Sequence, residues 1–139
     1  MTLPNPTDAP LLLTDADVLH RVRQLVGTAI ATRQLWVMFL DGDGRQAPVV
    51  VPIADVPLRP EGRVIDNLAA VLAEVLADLS TGGGAASAVL TLERIGRDAV
   101  LPGDREWADA LEQACVRAGA ALRGVYLSTS GGVRPLPRP

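Results

Sequence analysis

A chain of 139 residues with 13 basic and 16 acidic side chains, and a formal net charge of −3, is one domain's worth of polypeptide without a strong field of either sign. Every basic residue except His20 is an arginine, these are scattered, and aromatic residues make up only 3% of the chain. Clustered cations for a phosphate backbone and stacking platforms for bases are therefore both missing, and no nucleic-acid partner is expected.

Cys115 is the single cysteine, which excludes an internal disulfide and a cysteine-based zinc site. The first ten residues hold no basic residue and no long apolar run, so a secretory signal is not expected and the cytoplasm is the expected location. No unbroken apolar run is longer than that of residues 35–40, far short of the roughly 20 residues that span a bilayer, so no membrane partner is expected. Richness in Ala, Arg, Gly and Pro without lysine fits a high-GC bacterial genome.

Residues 1–13 contain three prolines and predict an extended arm ahead of a single domain over 14–134. Thr14 then reads as an N-cap, and Val18, Val22, Leu25, Val26, Ala29 and Ile30 recur at helical spacing, predicting a helix over 15–32. A dense apolar run predicts a buried strand over 34–40. Asp41-Gly42-Asp43-Gly44 supplies residues that tolerate positive φ, and the chain returns over 47–53, so the pair reads as a hairpin. Pro48 and Pro52 cannot donate ladder hydrogen bonds and place the second strand at an edge.

Ile65, Leu68, Leu72, Val75, Leu76 and Leu79 define one face of a helix over 64–79. A strand over 88–93 follows the loop 80–84. Asp104 reads as the cap of a third helix with Trp107, Leu111, Ala114, Cys115 and Ala118 inward and Gly119 near its end. A strand over 122–127, a short fifth strand after Ser130-Gly131-Gly132 and a proline-rich tail over 135–139 complete the chain. The order α-β-β-α-β-α-β-β predicts a mixed sheet with helices on both faces, a three-layer α-β-α sandwich.

Individual motifs carry little chemistry. Asp41-Gly42-Asp43-Gly44 begins like a calcium loop, yet Arg45 and Pro52 occupy positions where oxygen ligands are needed, so a turn is expected. Gly82-Gly83-Gly84 follows a helix and precedes a strand, the wrong end for phosphate binding. His20 lies mid-helix near Asp17 and reads as a surface residue, and Cys115 reads as a small core hydrophobe. The Pro135–Pro139 tail has PxxP character. Glu93, Asp98 and Asp104 surround the loop after the third strand, where sites gather in α/β sheets, and are weak candidates for a divalent-ion site.

The stretch from Gln34-Leu35-Trp36 to Leu40-Asp41, the turn ending at Arg45 and the returning aliphatic strand resemble the start of a RadC-like JAB/MPN domain. Asp104-Arg105-Glu106-Trp107 through Leu111, Gly119, Leu122 and Tyr126-Leu127 resembles that family's later helix and strand, so the likeness covers residues 34–128. It implies a JAB/cytidine-deaminase-like fold. In that family a His-x-His-Pro motif and the Asp of Ser-x-x-Asp hold zinc, with an upstream Glu as base. Here Thr91 and Glu93 fall at the two histidine positions, Arg94 at the proline, Leu101 at the serine and Pro48 near the glutamate; Asp104 alone matches.

Three protein ligands cannot be assembled from this set, so the resemblance implies the scaffold without its metal centre, no metal cofactor and no isopeptidase activity. The first functional expectation is a non-catalytic interaction or assembly module, a homo-oligomer or a partner of another protein. The alternative is a small-ligand or divalent-ion-binding enzyme with an atypical site around Glu93, Asp98, Asp104 and Arg94.

Overall fold

The computed structural model describes residues 9–79 and 86–136. The elements run α1 (Asp15–Leu25), β1 (Arg33–Leu40), β2 (Gln46–Ala54), α2 (Gly62–Leu79), β3 (Ser87–Arg94), α3 (Pro102–Ala118), β4 (Ala121–Thr129) and β5 (Gly132–Pro135). They form one five-stranded mixed sheet in the order β2-β1-β3-β4-β5, in which only β3 and β4 run parallel. No described helix is long and apolar enough to cross a membrane.

Strand alternation divides the interior in two. Leu35, Val37 and Phe39 of β1, Leu90 and Leu92 of β3, and Val125 and Leu127 of β4 pack with α2 and α3. The intervening residues Met38, Leu40, Val89 and Tyr126 pack with Val18 and Val22 of α1, with Val133, and with Leu12 from the segment before the helix. A side-chain period of two sends neighbours to opposite faces, so the sheet separates a large core from a small one. The chain is therefore an α/β domain with helices on both faces.

Capping sets the helix ends. The Thr14 hydroxyl accepts from the Asp17 N–H at 3.1 Å, and the Asp17 carboxylate accepts from the Thr14 and Leu13 N–H groups at 3.2 Å each, a reciprocal box. The helix expected to reach residue 32 stops at Leu25. Gly27 adopts φ 65°, the left-handed region that ends helices, and the next residues bond to the ends of other strands instead.

The third helix also begins earlier than expected. Pro102, with its fixed φ, occupies its first turn and Leu101 precedes it as the N-cap. Asp104 is thus the third helical residue rather than the cap, and its carboxylate accepts from the Leu101 N–H at 2.8 Å.

Both sheet edges are blunted against strand addition. The Asp55 N–H donates to the Arg33 carbonyl at 3.0 Å, which fixes the ladder phase and turns the backbone groups of Val50, Pro52 and Ala54 outward. Pro52 has no donor to offer there. Earlier in β2 the outward Gln46 N–H donates to the Pro10 carbonyl at 3.0 Å, and the Leu12 N–H donates to the Gly44 carbonyl at 2.8 Å, so the arm covers that part of the edge. On the other side, the Leu136 N–H donates to Val125, which turns Val133 and Pro135 outward. The Arg23 guanidinium covers the Val133 carbonyl at 3.3–3.4 Å, and Pro135 again lacks a donor. Proline at outward positions is a recurrent way of blunting an edge.

Candidate functional site

The register places β1's start, β2's end, the ends of β3 and β4 and the start of α3 at one end of the sheet. Three loops meet there, and each is fastened by a buried polar side chain. Glu93, 1% exposed, takes the Ile30 and Ala31 N–H groups on Oε2 at 2.7 and 3.0 Å and the Trp36 indole N–H on Oε1 at 2.9 Å. The Ser128 hydroxyl donating to the Gly27 carbonyl and the Ala29 N–H donating to Thr129 complete the hold on the loop between α1 and β1.

The Trp107 indole, fully buried on α3, donates to the Pro57 and Leu58 carbonyls at 3.1 and 3.2 Å and fixes the loop between β2 and α2. Arg94 fastens the third loop. Its guanidinium grips Asp104 with a fork of two bonds, 2.9 and 2.8 Å, and donates to the Arg97 and Ala99 carbonyls at 3.1 and 2.7 Å. Both members of this pair are 3% exposed, and all their polar atoms are directed at partners, which is the condition under which a buried ion pair is tolerated.

Each fastened loop leaves one large aliphatic side chain in solvent. Ile30 is 87% exposed, Leu58 60% and Ile95 54%. Ile30 was expected on a buried helical face. It is outside because the helix ends before it and the Glu93 clasp turns its backbone, not its side chain, inward.

The carboxylates expected to cluster do not. Glu93 shares its sheet face with Thr91, Val89 and α1, whereas Arg94 and hence Asp104 lie on the face of α2 and α3. Asp98 lies near β5, where Arg134 Nε approaches its Oδ1 to 3.0 Å in an ion-pair contact off the hydrogen-bond axis, and the Thr129 hydroxyl lies at 3.5 Å.

Glu93 and Asp104, placed by the family resemblance at metal-holding positions, are on opposite sides of the sheet and each is consumed by N–H donors. Pro48 lies toward the hairpin-turn end, remote from both. Among the described residues no group of three or more His, Cys, Asp or Glu side chains could hold a metal ion. The described residues therefore do not form the expected divalent-ion site on Glu93, Asp98 and Asp104 together, because strand alternation separates these carboxylates.

The other motifs resolve simply. The Asp41 carboxylate accepts from the Asp43 and Arg45 N–H groups at 2.9 and 3.0 Å, closing a turn in which Gly44 takes φ 89°. His20 is exposed on α1, and Cys115 is buried within the large core. Gly82-Gly83-Gly84 and the last three residues of the proline-rich tail lie outside the described residues; Leu136, just before them, is buried.

Among the described residues, cavities open at two places relevant to these side chains. One of about 350 Å³ lies between α1 and β4, lined by Asp15, Leu19, Arg123, Tyr126 and Leu136. The Tyr126 ring there lies across Gly124, where an added Cβ would come within 2.9 Å of it, and burial raises its hydroxyl pKa. The second, about 170 Å³, sits beside the Arg94–Asp104 pair and includes Arg33, Leu58, Arg59 and Leu101 in its lining.

Sequence reasoning missed the Arg94–Asp104 pair although a signal existed. Leu92 faces the large core, so the period of two assigns Arg94 to the same face and Glu93 to the other. Compared with known proteins, the chain matches no family model, no curated protein and no solved structure.

Proposed function

We propose that this chain is a non-catalytic assembly module on a JAB-like scaffold without the metal centre, and that a second copy of the chain docks against the loop end of its sheet. The α-β-β-α-β-α-β-β order supports the scaffold reading. The dispersal of Glu93, Asp98 and Asp104, each with its own partners, supports the non-catalytic part.

The observation that carries the docking surface is the presentation of Ile30, Leu58 and Ile95 on loops fixed by Glu93, Trp107 and Arg94. Exposed aliphatics on preorganised loops lose little entropy when covered, the property expected of anchor residues. Because both edges are blunted by proline and partial cover, the association uses this end of the sheet rather than strand pairing, and two-fold pairing of identical patches is the commonest closed arrangement.

Light scattering over a hundred-fold concentration range tests this. The unaltered chain should form a dimer that Ile30→Asp and Ile95→Asp convert to monomer, while Val116→Asp, at an exposed position on α3, leaves it intact. A strict monomer throughout, or a dimer indifferent to both loop substitutions, overturns the reading.

A further inference from the structure

Arg33 and Arg94 stand directly opposite each other in the β1–β3 register, both on the face of α2 and α3. Like charges in that relation repel. One carboxylate, Asp104, shares the cavity they line, and it is fully engaged: both oxygens bind Arg94, and Oδ2 also accepts from the Leu101 N–H.

The Arg33 guanidinium makes no ion pair or hydrogen bond among the described residues, and Asp55, its neighbour at the end of β2, does not reach it. Arg59, 75% exposed, has only a 3.7 Å contact with Glu106. Arg33 and Arg59 line the 170 Å³ cavity with Arg94, and Asp104 is the sole acid in its lining. Positive charge thus exceeds negative around a concave space of small-ion size.

We propose that this cavity is a binding site for a small oxyanion, a phosphate or a carboxylate, held by the Arg33 and Arg59 guanidinium groups. Their planar donor forks match either group, and the buried Arg94–Asp104 pair forms a rigid wall that fixes the cavity beside Arg33. An anion there relieves the repulsion between the opposed arginines, so binding and sheet stability are linked. The site does not require the dimer, and its failure leaves the assembly reading untouched.

Thermal melts in phosphate, in acetate and in chloride at matched ionic strength test the site, with amide and guanidinium NMR shifts to locate it. Phosphate or acetate should raise the melting temperature saturably above chloride, with shifts at Arg33 and Gly103. A response to one ion alone identifies the group, since phosphate alone means a phosphate-bearing ligand and acetate alone a carboxylate. Arg33→Gln should weaken binding about tenfold or more.

The sign of its effect on stability is diagnostic. Without an oxyanion, Arg33→Gln should melt no lower than the unaltered chain; with saturating phosphate or acetate it should melt lower. Arg59→Gln, at an exposed position, gives the same loss of binding without a folding risk, and Arg117→Gln, paired with Asp66 away from the cavity, should bind normally. No rise beyond chloride, or binding undiminished in both Arg33→Gln and Arg59→Gln, overturns the proposal.

Discussion

Glu93 and Arg94 are consecutive, oppositely charged and almost wholly buried, yet they belong to different halves of the molecule. On the α1 side Glu93 has no cationic partner among the described residues and is satisfied by two backbone N–H groups and an indole. On the α2/α3 side Arg94 is matched by a carboxylate and two carbonyls. One side stabilises a charge with dipoles and the other with a counter-charge. The two arrangements should fail differently when cut.

The largest effect is expected from Asp104→Ala, which strands a buried guanidinium and should cost about 3–5 kcal/mol in urea unfolding. A loss under 1 kcal/mol would show that water reaches Arg94 and that the pair is not a dry wall. Because the pair joins β3 to the start of α3 within the large core, the loss should appear as a global fall in stability.

Glu93→Gln should be milder, about 1–3 kcal/mol, since the amide oxygen retains an acceptor while its NH₂ group faces N–H donors. Hydrogen exchange should accelerate first at Ile30, Ala31 and the Trp36 indole, with the α2/α3 core still protected. Uniform acceleration across both cores would remove the distinction between a local clasp and a global one.

The smallest effect concerns the other end of α1. The Thr14 N–H and hydroxyl hold the Asp17 carboxyl below its ordinary pKa of 3.8, with further help from Leu13 and His20. A folded value below the unfolded one means the capping box stabilises α1 fully above that ordinary value and loses its contribution as pH falls through the folded value. An NMR titration should show the Asp17 carboxyl titrating below 3.8 in the folded chain, and Thr14→Ala should return it towards that value. An unshifted Asp17 in the unaltered chain would refute this.

Much of the fold was legible along the chain because periodicity is a local property. The face of α2 through Ile65, Leu68, Leu72 and Leu76, the Asp41–Gly44 turn and the edge position announced by Pro48 and Pro52 all follow from spacing and from what proline and glycine can do. The C-terminal end of α1 and the start of α3 were not, although the Thr14 cap and the Gly119 stop were. Ala29 and Ile30 continue an apolar pattern, but Gly27 turns left-handed ahead of them and Thr129 and Glu93 then take the N–H groups of residues 29–31. The candidate site suffered most, because Glu93, Asp98 and Asp104 are close in sequence while strand alternation and the turn into α3 point them apart.

Composition and order alone determined that the chain is an α/β domain with an aliphatic core and no internal disulfide, since burial and hydrogen-bond saturation leave few ways to arrange three helices and five strands. Which charges meet was decided only in three dimensions. Asp104 reaches Arg94 across a folded loop, Arg33 comes to face Arg94 through strand pairing, and Ile30 is turned into solvent by a carboxylate 63 residues away. Short-range spacing cannot specify such partners, because a charge selects its neighbour after packing has set the distances and removed the water.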